Sequence, residues 1–268
     1  MNRLRLTKLR FTLMFKEETR LPLFIGNTLR GALGQSLCDN FPIVYSTVFK
    51  VDGGESKPNP FVISAPYPGK GFYKSGDTLV FGITLFGSAC EYVNDISGAA
   101  RFMCNEKLSG AVLTESVLVY DREWSDADAE VTQPCDCLTV DFITPTEIKT
   151  EGGTKTDLKP DFGLIIDRVF SRISAIFNNY GDGEFIIPYS LIANKPFVVA
   201  GHNLIHKRIN LDVLGKKRID GFVGKICYRG DITRYIPYVA NLGSQLHIGK
   251  KTTYSCGEYT FDLHGGDR

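Results

Sequence analysis

Two stretches near the C-terminal end concentrate residues able to handle phosphate. The first runs from Gly221 through Gly224, Lys225, Arg229 and Gly230 to Asp231. The second runs from Leu246 through His247, Gly249, Lys250, Lys251, Thr252, Thr253 and Ser255 to Gly257. Glycine lets backbone N–H groups come close to a phosphate, and lysine adds a point charge. The segment is no nucleotide-binding P-loop, because five residues separate Gly243 from Gly249 and Lys251 stands where such a loop needs Ser or Thr for Mg²⁺. Lys207, Arg208, Lys216, Lys217 and Arg218 surround a predicted hairpin turn at 212–215. They either prolong a phosphate track or decorate a solvated turn.

Metal chemistry finds less support. His202 and His206 stand four apart, but Asn203 occupies the position where a zinc protease carries Glu, and the flanking residues read as extended chain. Cys135 and Cys137 have no second pair at zinc-ribbon spacing. No metal and no cofactor are expected. Seven cysteines, an odd number scattered along the chain, predict free thiols in a reducing cytosol. No apolar run approaches the roughly 20 residues of a transmembrane helix. The expectation is an ordered cytoplasmic protein without membrane contact.

The elements that must position these residues fit two domains, since 268 residues divide comfortably into two of about 130. Residues 3–15 alternate apolar and basic side chains as a half-buried strand does, and 22–39 carry Leu23, Ile25, Leu29, Ala32, Leu33 and Leu37 at helical spacing. Strands follow at 43–51, 60–65 and 78–87, then a helix at 91–104 and a strand at 111–121. An acidic stretch containing Trp124 reads as a linker, with Trp124 as a packing anchor. Beyond it the order returns: a strand at 138–149, a helix at 161–180, strands at 196–211 and 217–229, a helix at 231–242 and a strand at 251–263. Each half is β-α-β-β-α-β, which predicts an α+β fold of two tandem ferredoxin-like (βαββαβ, RRM-like) domains. The boundaries are 1–121 for the first domain, 122–137 for the linker, and 138–268 for the second domain with its glycine-rich loop.

Charge is uneven. Residues 1–30 hold seven Lys or Arg against two acids, 84–161 hold six against fifteen, and 200–268 hold eleven against six. Two basic ends around an acidic middle make one positive face if the ends meet, which suits a nucleic-acid groove. Arg30, inside the glycine-rich helix, faces the cleft between domains or stands as an ordinary exposed helix residue.

The C-terminal block GFVGKICYRGD and LHIGKKTTYSCGEYTF resembles the glycine-rich signature of the CRISPR-associated pre-crRNA processing endoribonucleases of the RAMP superfamily. FIGNTLRGALGQSL, PFVISAP and GDTLVFGITLFG resemble that family's first domain. Ser255-Cys256-Gly257 departs from the family's usual Gly-x-Gly. The resemblance implies binding of CRISPR repeat RNA and metal-independent cleavage, in which a 2′-OH attacks its own phosphate and leaves a 2′,3′-cyclic phosphate and a 5′-OH. It also implies other CRISPR effector subunits as partners; a homodimer is a common prior for any soluble chain.

Family members commonly place a catalytic histidine after the first helix, and 38–57 contains none. Three readings therefore stay open. His247 acts as acid or base beside Lys250 or only binds phosphate. Tyr45 and Lys50 act without histidine. Or the chain is a catalytically inactive RNA-binding scaffold subunit. In the first, Lys250 and Lys251 neutralise phosphate, with Thr252, Thr253, Gly249 and Gly257 cradling the RNA and Arg30 and the hairpin gripping it.

Overall fold

The structure is a computed structural model describing residues 2–50, 57–106, 108, 110–125, 135–150, 153–155, 159–185, 187, 189, 196–211, 217–232 and 235–265. The first half runs β1 (Arg3–Phe15), β2 (Thr19–Arg20), α1 (Gly26–Asn40) and α2 (Pro42–Val44), which continues into a π-helical turn (Tyr45–Phe49). Then come β3 (Phe61–Ser64), β4 (Phe72–Tyr73), β5 (Thr78–Phe86), a 3₁₀ segment (Gly87–Tyr92), α3 (Val93–Glu106) and β6 (Ala111–Ser125). The second half runs β7 (Cys135–Thr146), β8 (Ile148–Thr150), β9 (Gly153–Lys155), α4 (Phe162–Tyr180), β10 (Phe197–His202), β11 (Ile205–Asn210) and β12 (Arg218–Ile232). It closes with α5 (Tyr235–Leu246), a 3₁₀ turn (Thr252–Tyr254) and β13 (Tyr259–His264).

The first sheet is ordered β3-β5-β1-β6 and the second β10-β12-β7-β13, with β11 also on β12. All these pairings are antiparallel. In both sheets the order is second, third, first, fourth strand of a βαββαβ unit, so the chain consists of two tandem ferredoxin-like units.

Side-chain alternation along β1 explains how the halves join. Leu9, Phe11, Leu13 and Phe15 pack with Leu29, Leu33 and Leu37 of α1 and with Ile96 and Met103 of α3. Leu4 and Leu6, on the opposite face, enter the second core beside Ile173, Ile176 and Phe177 of α4. A strand carries side chains to both faces, so one strand serves both cores. The apolar stripe of α4 is buried as its period demands, and its first turn is capped by Asp161, whose carboxylate accepts from Leu164 N–H at 2.7 Å.

Several sequence expectations change. Residues 43–51 do not form a strand: Pro42 opens a helix at its first turn and Val44 and Val48, four apart, are both buried, so helical packing overrides β-branched propensity. Residues 251–263 are not one strand, because Lys251, Ser255 and Gly257 all have positive φ, which no strand accommodates; pairing begins at Tyr259. The helix expected at 231–242 lies at Tyr235–Leu246, since β12 keeps its pairing to Ile232. The strand expected to end at 121 pairs with β1 through Ser125. Trp124 therefore sits in β6, 5% exposed, edge-on to Tyr238 of α5 at 5.7 Å between ring centres. Residues 126–134 of the expected linker, the hairpin tip 212–216 and with it Lys216 lie outside the described residues.

Candidate active site

The glycine-rich loop leaves the end of α5 and folds back on itself. Five of its residues have positive φ: His247, Gly249, Lys251, Ser255 and Gly257. A Cβ added at Gly257 would lie 1.8 Å from Ile248 O, and one at Gly249 would lie 2.5 Å from Glu147 O. These glycines admit the protein's own backbone at Ile248 and Glu147. Backbone bonds secure the crossing, from Ile248 N to Gly257 O at 3.0 Å and from Lys250 N to Glu147 O at 3.0 Å.

Lys250 and Lys251 reach Glu147 at 3.0 and 2.7 Å. Burial opposes the charge on Glu147, but the hydrogen bonds from Lys251 and Lys250 outweigh it and hold the carboxyl below its usual range. Both ammonium groups are thus engaged inside the protein while remaining partly exposed. Glu147→Gln is expected to cost about 1.5–3 kcal/mol, read by urea unfolding at neutral pH, because charge-assisted bonds from two lysines are lost together.

Thr252 and Thr253 are buried and accept hydrogen bonds from arginines within the protein. Arg172 of α4, half-buried, donates to Thr252 Oγ1 at 3.1 Å and to Leu246 O at 3.3 Å. Arg30 donates to Thr253 Oγ1 at 3.2 Å. Ser255 Oγ accepts from Ala65 N–H at 2.9 Å, which docks the loop on the first domain. Tyr254 O lies where a Cβ on Gly26 would stand, so the start of α1 also rests on the loop.

His247 is 2% exposed. Its Nε2 lies 3.3 Å from Ser64 Oγ and its Nδ1 lies 3.2 Å from Cys256 O. Burial, with the charges of Lys8 and Arg172, lowers its pKa to about 3. The expected acid–base role of His247 does not match this placement, because a buried neutral imidazole facing Ser64 and a backbone carbonyl meets no substrate. It acts as a strut between the loop and β3.

A different group of side chains meets at the surface. Arg30, one turn into α1, lies over the Tyr254 ring at 4.6 Å and over the Phe49 ring at 5.7 Å. Tyr45 stacks on Phe49 at 6.5 Å. Arg30, Gly34, Gln35, Cys38, Tyr45 and Phe49 line one depression of about 210 Å³. The π-helical turn places Tyr45 and Phe49 there, and its last bond runs from Lys50 N to Tyr45 O at 2.8 Å, with Lys50 exposed. A guanidinium held between two rings is oriented while keeping donors for an anion. Phe49, Tyr254, Gln35 and Arg172 escaped the sequence reading. The only sequence signal for them was the glycine spacing of α1, which marks a helix that something must approach closely.

A cleft of about 900 Å³ lies between the two units. Leu23, Phe24 and Tyr67 form one wall, and Ile143, Ile205 and Lys207 belong to the other. The β11–β12 hairpin leans on α1, where Asn27 donates to Leu211 O at 3.3 Å. Of the predicted hairpin cations, Lys207 and Arg208 line the cleft. Arg208 pairs with Asp220 at 3.2 Å, and that carboxylate also binds His206. Lys217 accepts at its carbonyl from Leu211 N–H at 2.7 Å, and Arg218 is exposed. Lys207 and Arg208 thus line the cleft and Arg30 the depression, while Lys250 and Lys251 are paired with Glu147. His202 and His206 do not form a metal pair: His206 is taken by Asp220, and no cluster of three His, Cys, Asp or Glu occurs among the described residues. No helix among them is long and apolar enough to cross a membrane.

Two family models match the chain. One, described as an N-terminal domain, covers residues 4–119; the other, the CRISPR-associated endoribonuclease Cas6, covers residues 140–259. No curated protein sequence matches. Among solved structures, Thermus thermophilus Cas6 superposes with a TM-score of 0.66 at 18% identity, covering 96% of this chain and 98% of that one. A Cas6 product complex gives 0.62 at 17% identity, covering 96% and 99%. A partial Cas6-RT-Cas1–Cas2 complex gives 0.70 at 14% identity, covering 97% of this chain and 46% of the other. At these identities the structural likeness is one of fold.

Proposed function

We propose, from the match of residues 140–259 to the CRISPR-associated endoribonuclease Cas6 model and the likeness of fold to solved Cas6 structures, that this chain binds CRISPR repeat RNA and cuts it at the depression lined by Arg30. The observation that carries this reading is the guanidinium of Arg30 held between Phe49 and Tyr254 at the rim of a pocket that Tyr45 also lines. In the reaction the 2′-oxygen forms a new bond to phosphorus as the bond from phosphorus to the 5′-oxygen breaks. The 2′-OH proton passes to water at the open mouth of the pocket. Tyr45 gives its phenolic proton to the leaving 5′-oxygen and regains one from solvent. Arg30 offsets the charge that gathers on the phosphorane, and Lys50 adds positive charge. The products are a 2′,3′-cyclic phosphate and a 5′-OH.

The β11–β12 hairpin, with Lys207, Lys217 and Arg218, steers and holds the RNA, and Lys250 and Lys251 keep the loop beneath it in place. The two ferredoxin-like units, the first running through Ser125 and the second from Cys135, act as the two domains that close on the RNA. The protein works in the cytoplasm, with other CRISPR effector subunits as partners.

The test is incubation of the purified chain with end-labelled repeat RNA in EDTA, followed by analysis of the product ends. One cut leaving a cyclic phosphate is expected. Tight binding without a cut overturns the reading in favour of an RNA-holding subunit, which the distance of His247 from the surface would then explain.

A further inference from the structure

Next to Arg30 and Tyr45 the depression continues along α1 to Gln35, whose side chain is pinned in one orientation. Its Nε2 donates to Asp39 Oδ1 at 2.9 Å and to Asp39 Oδ2 at 3.0 Å. An ionised carboxylate only accepts hydrogen bonds, so the amide must turn its NH₂ toward Asp39 and its carbonyl oxygen away. The free polar edge here consists of acceptors alone: Gln35 Oε1, backed by the remaining lone pairs of Asp39. The floor is open, since a Cβ added at Gly31 meets nothing within 4 Å, while one at Gly34 would reach the Phe49 ring at 3.1 Å. This leaves a narrow slot beside an aromatic wall. From Arg30 to Gln35 the helix rises about 7.5 Å, which is the reach from a phosphate to the base of its own nucleotide.

The geometry points to a nucleobase subsite at Gln35 that takes guanine from the nucleotide on the 5′ side of the cut. The inference rests on the cleavage reading above. Guanine is the base whose Watson–Crick edge presents two adjacent donors, N1–H and the 2-amino group, to an acceptor edge. Adenine turns its N1 lone pair toward that edge, uracil flanks its single donor with two carbonyls, and cytosine offers one amine beside an acceptor. Each places like against like and leaves a lone pair unmet. Unpaired RNA bases are read in this manner, by side chains on their Watson–Crick edges with an aromatic ring nearby.

The experiment uses repeat RNAs that differ only in the nucleotide 5′ of the cut, carrying guanine, inosine, adenine, cytosine or uracil. Single-turnover cleavage is measured for the intact protein and for Gln35→Ala and Asp39→Asn. A second series with a 2′-deoxy sugar at that nucleotide, which cannot cleave itself, is measured by fluorescence anisotropy. Guanine is expected to exceed adenine, cytosine and uracil by about ten- to a hundredfold in rate, with inosine, which keeps N1–H but lacks the amine, between. Gln35→Ala should level the series. Asp39→Asn should weaken the preference, since asparagine lets the amide turn and offer a donor. Equal rates across the series, or a preference for another base, with cleavage intact, overturn the subsite and leave the cleavage reading standing. If no RNA is cut, the cleavage reading fails and the anisotropy series decides: the same order of affinities supports the subsite, and equal affinities overturn it.

Discussion

Tyr45→Phe is expected to slow cleavage of repeat RNA by about 10²–10⁴-fold, the usual cost of removing a positioned proton donor, with RNA affinity and thermal stability unchanged. Phenylalanine keeps the ring that stacks on Phe49, so the π-helical turn and the rim of the pocket persist. What disappears is the proton for the leaving 5′-oxygen. The measurement is a single-turnover rate at saturating protein beside a binding isotherm on 2′-deoxy RNA. A full rate in Tyr45→Phe moves the donor elsewhere, with the exposed Lys50 the next candidate. The contrast with Arg30 is informative. Arg30→Ala removes charge from the phosphorane but also frees Thr253 and the ring of Tyr254, so its defect extends to the loop itself.

His247 yields the second large effect, on stability and its dependence on pH. Its folded-state pKa is lowered from 6.5 to about 3, first by burial and then by Lys8 and Arg172, against a hydrogen bond donated to Cys256 O that works the other way. A lowered histidine pKa means that the unfolded chain takes up the proton first. The stabilisation from a neutral His247 is complete above about pH 6.5 and is lost as pH falls from there toward 3, at about 1.4 kcal/mol per pH unit. His247→Asn retains a residue tolerant of the positive φ at this position and removes the titration. The intact protein should therefore lose stability faster than the variant between pH 6.5 and 4, as read by urea midpoints at several pH values. Parallel pH profiles for the two would show that His247 is not buried neutral in the folded state. The same burial explains why His247→Ala should lower stability and cleavage together, whereas Tyr45→Phe touches cleavage alone.

The element order of both halves was legible because it rests on periodicity. The alternation of β1 and the six-residue stripe of α4 are local patterns, and each formed the element it implied. The antiparallel 2-3-1-4 sheets follow from that order, since short connections and two helices on one face leave few other arrangements. The misread stretches share a physical cause. Residues 43–51 are rich in β-branched and aromatic side chains, but the burial of Val44 and Val48 against the first core is a tertiary gain that strand propensity does not contain. Residues 251–257 carry the composition of a polar strand, but the backbone turns through left-handed conformations to cross Glu147 and Ile248.

For the site, the residue types were visible and their burial was not. Histidine, two lysines, two threonines and glycines in one short loop read as phosphate-binding chemistry, and by spacing alone nothing opposes it. Docking of that loop against β3 and α1 buries His247, Thr252 and Thr253 and ties the two lysines to Glu147. Lys250 and Lys251 meet a buried carboxylate from a strand end more than a hundred residues earlier, and His247 meets Ser64 from the other domain. Arg30 changed in the opposite sense. As a helix residue it was ambiguous, and the arrival of Tyr254 and Phe49 on either side made it the centre of the surface. The sequence by itself determined the two βαββαβ units, the basic ends and the chemical family of the loop, because these depend on local pattern and composition. Which cations stand exposed and which are engaged within the protein was decided only by the tertiary structure, because exposure is a property of how two domains meet.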